Sequence, residues 1–78
     1  MKVVKLDGRH RLFRNGMTYA FKFVGHPPER IKVQNILRKQ YGWEFGRDTW
    51  RTFHGKNKIY WVGVKKESDI SLVMLQLN

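Results

Sequence analysis

Three histidines stand among a high density of bases in this chain, and a histidine beside a cation is a chemically useful pair. The imidazole can move a proton near neutral pH while the cation stabilises charge on a phosphate. His54 shares a short polar segment with Lys56 and Lys58, and His10 lies between Arg9 and Arg11. Either arrangement would suit metal-independent RNA cleavage, with His54 the first candidate and His10 the second. His26, directly before Pro27-Pro28, reads instead as a residue at the entry to a helix. Small basic proteins often carry turn histidines without a catalytic task, so the expectation is a protein that is not an enzyme, with a small ribonuclease toxin as the enzymatic alternative. Metal chemistry is disfavoured: there is no cysteine, the histidines are dispersed, and Glu44 and Asp48 sit four apart in a glycine-containing stretch where that spacing fixes no common face. No glycine-rich run opens a helix to cradle a phosphate. Neither a metal nor a cofactor is therefore expected.

The stronger signal is charge. Sixteen Lys and Arg face six Asp and Glu, a formal net charge of +10, with three Trp, three Tyr and five Phe interleaved. Such an excess repels itself in a compact state and points to a polyanionic partner, of which nucleic acid is the commonest. The candidate phosphate-binding residues are Arg9, Arg11 and Arg14, the helix-face set Lys32, Asn35, Arg38 and Lys39, and Arg47, Lys56 and Lys58. Six such contacts on duplex DNA would give log K a slope of roughly −5 against log salt, from about −0.9 per contact. Trp43 and Trp50 are candidates for base stacking. RNA or a single strand is favoured narrowly over duplex DNA, because a sheet-rich, aromatic-rich chain offers stacking surfaces and shows no helix-turn-helix pair. A protein-binding inhibitor or adaptor docking on an acidic surface of a larger machine is the alternative, with Trp, Tyr and Arg as anchors.

These residues must be held by a small set of elements. Asp7-Gly8 and Asn15-Gly16 both favour the positive φ of two-residue hairpin turns, which predicts strands at 3–6, 10–13 and 17–24. In the third, alternation places Tyr19, Phe21 and Phe23 on one face, and packing beneath a helix against Val33 and Leu37 is their expected use. Tyr19-Ala20-Phe21 resembles the central strand motif of RNA-recognition-motif domains over three residues; the likeness stops at Lys22 and Val24, and the segment precedes the helix instead of following it, so no family is assigned. A helix is predicted from the prolines to about Tyr41, with Val33, Ile36, Leu37 and Tyr41 inward, Lys32, Asn35, Arg38 and Lys39 outward, and Gly42 as C-cap. Strands are predicted at 49–53, 59–64 and 70–77. The expected class is α+β, an antiparallel sheet of about five to six strands with one helix, in the approximate order βββ-α-βββ.

At 78 residues one domain is expected, spanning 1–78. The absence of cysteine agrees with a cytoplasmic or otherwise intracellular address, and no apolar run approaches a membrane span. The segment Ile70 to Leu77 is apolar on both faces when read as a strand, which makes a homodimer burying it an even proposition.

Overall fold

The computed structural model describes residues 1–42 and 49–77. The chain runs β1 (Lys2–Lys5), α1 (Arg11–Arg14), β2 (Tyr19–Val24), α2 (Pro28–Tyr41), β3 (Trp50–His54), β4 (Ile59–Val64) and α3 (Glu67–Leu77). The four strands form one antiparallel sheet in the order β1-β2-β4-β3. The α+β class and the antiparallel sheet are as expected. The five to six strands and single helix are corrected to four strands and three helices among the described residues, because two segments expected as strands are helical.

The first is 10–13. Asp7 does not open a two-residue hairpin; its Oδ1 accepts the Arg9 N–H at 2.9 Å, turning the chain locally, and Nδ1 of His10 accepts the Leu12 N–H at 3.1 Å as the N-cap of α1. Gly16, at φ +97°, then ends that single turn and sends the chain into β2. The second is the C-terminal segment. Asp69 and Val73 are buried and Ile70 and Leu77 pack against the core, a spacing of three and four residues that belongs to a helix stripe. Leu, Met and Gln favour helix, and Glu67 and Asp69 place negative charge in its first turn. With α3 a helix, the two-faced apolar strand that motivated a homodimer does not exist.

Strand register divides the sheet into two unlike faces. Tyr19, Phe21 and Phe23 of β2 align with Val64, Val62 and Tyr60 of β4, and this face lies under α2 and α3. Phe21, Phe23, Val62, Val64 and Trp50 pack there against Val33, Leu37 and Val73, so the alternation expected for β2 and the inner stripe expected for α2 are both found. Tyr41 closes the helix layer by donating its hydroxyl to Oδ1 of buried Asp69, which pushes the Tyr41 pKa up to about 12 through that hydrogen bond first and burial second.

Among the described residues, the opposite face is covered at one end only. Leu6, Leu12, Met17 and Ala20 form a second, smaller core there, in which α1 lies directly on Gly63: a Cβ at that position would stand 3.0 Å from Cγ of Met17 and 3.1 Å from Cδ1 of Leu12. The glycine in β4 is what lets the short helix approach the sheet. Beyond α1, the face carries rings and bases instead of a helix.

Candidate nucleic-acid interface

Alternation along the strands decides which side chains share the uncovered face. Lys22 of β2 aligns with Lys2 of β1 on one side and with Trp61 of β4 on the other, and Trp61 aligns in turn with Phe53 of β3. Arg51 follows on the same face, aligned with Gly63. A row therefore crosses the whole sheet in the sequence lysine, lysine, tryptophan, phenylalanine. None of the four strands contains a carboxylate.

Cations hold positions over both rings. Nζ of Lys22 lies 5.3 Å from the Trp61 ring centre, and the guanidinium carbon of Arg11 lies 5.4 Å from that of Phe53. His10 stands edge-on to both, at 4.5 Å from Trp61 and 5.7 Å from Phe53. Trp61 and Phe53 are half-buried, packed on the smaller core at their base. Toward the β1 edge a shallow groove of about 320 Å³ continues the face, lined by Met1, Lys2, Lys22, Val24 and Pro27.

The chain matches no family model, and no curated protein and no solved structure is significantly similar to it. The geometry therefore carries the functional reading alone.

The bases singled out in the sequence fall into three places. Arg9, Arg11 and Arg14 surround α1 at the margin of the uncovered face, with Arg9 bound to Asp7 at 3.0 Å. Lys32, Asn35 and Lys39 are exposed on α2, and Arg38, partly buried, donates to Oδ1 of Asn35 at 3.3 Å; this group lies in the other layer of the fold. Lys56 and Lys58 are exposed on the β3–β4 turn at the end of the hairpin. Arg47 and Trp43 lie outside the described residues. Trp50 is corrected as a stacking candidate: it is 1 % exposed beneath the helices and spends its indole N–H on the carbonyl of Gly42 at 3.0 Å. The rings that do face outward, Trp61 and Phe53, were legible from alternation, since Ile59, Trp61 and Gly63 must oppose Tyr60, Val62 and Val64.

His10 is held neutral by this setting. Burial is the main cause that lowers its pKa below the ordinary 6.5, with nearby Asp7 opposing, and its Nδ1 must stay unprotonated to cap α1. A depressed pKa contributes stability that is complete above 6.5 and is lost as pH falls through the folded value. A proton NMR titration should find the His10 ring changing below 6.5, with the Leu12 amide resonance following it; titration at or above 6.5 would contradict the cap.

A second group of rings gathers at the far end of the β3–β4 hairpin, on the helix-covered side. The Tyr60 ring centre lies 4.9 Å from His26 and 4.7 Å from His54, and its Oη is 3.2 Å from Nε2 of His26. Arg30, in the first turn of α2, places its guanidinium carbon 4.9 Å from the same ring centre. His26 is thus more than a helix-entry residue: the β2–α2 loop brings it against Tyr60, whose ring also meets His54.

Proposed function

We propose that this protein binds single-stranded nucleic acid, with RNA the preferred form, across the uncovered face of its sheet. The observation that carries the reading is the side-by-side placement of Trp61 and Phe53 on a face whose only charged strand residues are Lys2, Lys22 and Arg51. Stacking on a ring is tolerant of base identity and needs an unpaired base, which a single strand presents and a duplex hides. Lys22 and Arg11 now lie over the rings; on binding, each ammonium or guanidinium turns to a phosphate while a base takes its place over the ring. Half-buried rings fixed at their base meet a ligand with little ordering cost.

Anisotropy titrations of labelled single-stranded RNA, single-stranded DNA and duplex DNA at two salt concentrations test this. Single strands should bind more tightly than duplex. With Lys2, Lys22, Arg11 and Arg51 on phosphates, the slope of log K against log salt should be roughly −3, from about −0.7 per contact on a single strand. No binding at low salt would refute the reading and favour an acidic protein surface as the partner.

A further inference from the structure

The hairpin β3–β4 carries both ring groups on its two sides. Phe53 and Trp61 face the uncovered side, and their immediate neighbours His54 and Tyr60 face the other, with Lys56 and Lys58 exposed on the turn between. A strand lying on the uncovered face can therefore pass the lysines of the turn and reach the second group within a few nucleotides. That group combines two imidazoles, a phenol and a guanidinium. Arg30 has its Nε buried without a hydrogen-bond acceptor, so its stacking on Tyr60 leaves hydrogen-bonding capacity unspent. No carboxylate among the described residues is bonded to Arg30, His26 or His54.

We propose that His54, His26, Tyr60 and Arg30 form a site that cleaves RNA by internal transesterification. This inference rests on the RNA-binding reading above. His54, neutral, takes the proton of a ribose 2′-hydroxyl, and the 2′-oxygen attacks the adjacent phosphorus. The bond from phosphorus to the 5′-oxygen breaks as Tyr60 gives that oxygen its phenolic proton and recovers one from protonated His26 across their hydrogen bond. The products are a 2′,3′-cyclic phosphate and a free 5′-hydroxyl, and proton exchange with water restores the two imidazoles. Arg30 holds the non-bridging oxygens as charge builds on them. No co-reactant enters, and a strand lacking 2′-hydroxyls cannot react.

The intact protein, incubated in EDTA with end-labelled single-stranded RNA and with the all-deoxy strand of the same sequence, supplies the test. RNA should yield fragments ending in cyclic phosphate, with the deoxy strand intact. His54→Gln, at an exposed position, should lower the cleavage rate by about 100-fold or more, the range in which a positioned base acts; Tyr60→Phe should lower it while circular dichroism and binding of the deoxy strand stay unchanged. RNA that is bound but left whole overturns the inference and leaves the binding proposal standing. RNA neither bound nor cut overturns both. Equal cleavage by wild type and His54→Gln also overturns it, since the activity then belongs to another source.

Discussion

Trp61→Ala should lower affinity for single-stranded RNA by about 5- to 150-fold, corresponding to the ~1–3 kcal/mol that stacking on one ring contributes. The indole is half-buried, so the same change also removes packing from the small core around Leu12 and Met17. Lys22→Glu separates the two effects. Lys22 lies directly across from Lys2, and like charges at opposed positions destabilise a strand pair, so reversing one of them should leave the melting temperature unchanged or raise it. Affinity should nonetheless fall, because a cation on the face becomes an anion. Loss of binding in both variants, with loss of stability in Trp61→Ala alone, is the expected pattern; full affinity in Lys22→Glu would remove this face from consideration.

Phe21→Ala should have the opposite signature. Phe21 is fully buried between the sheet and the helix layer, and truncating a buried phenylalanine costs about 3–5 kcal/mol through lost transfer energy and the cavity left behind. That is a large part of the total stability of a small domain, about 5–15 kcal/mol. Chemical denaturation should show a transition displaced far toward lower denaturant, and nucleic-acid affinity should fall only in proportion to the unfolded fraction. A stable Phe21→Ala protein with specifically weakened binding would mean that the Tyr19-Ala20-Phe21 strand offers its rings to bases, contrary to the packing described.

Parts of this architecture were legible in the chain because one local rule governed them. The helix from the prolines to Tyr41 has a proline start, a 3.6-residue stripe and a glycine stop at φ +88°, and β4 begins and ends where its β-branched and aromatic run does. The misread segments are those where two rules compete. Asp7-Gly8 fits a hairpin turn, yet the Asp7 carboxyl and the His10 ring bond to the chain ahead of them and start a helical turn. Ile70 to Leu77 is apolar enough for a buried strand, while its Leu, Met and Gln and its acidic first turn favour a helix; tertiary contacts, Asp69 meeting Tyr41 and Val73 reaching the core, go with the helix. The candidate site was harder still. The bases could be named, but whether an aromatic ring lies inside or outside depends on which sheet face receives the helices. The expected layout puts its one helix over the Tyr19, Phe21 and Phe23 face but does not say how the later strands pair with β2; that pairing, with two helices on the Phe21 side, leaves Trp61 and Phe53 outward and buries Trp50. The gathering of His26 and His54 around the Tyr60 ring joins residues far apart in sequence and is produced by sheet order, which no local spacing reports.

The most direct measurement is a heteronuclear NMR titration of the labelled protein with a short single-stranded RNA, following backbone amides and the indole N–H of Trp61. The account predicts that shifts concentrate on the uncovered face, in Lys22, Arg51, Phe53 and Trp61 with α1 beside them, while the exposed side of α2 at Lys32, Asn35 and Lys39 changes little. Shifts confined to that side of α2, with the Trp61 indole unmoved, would contradict it.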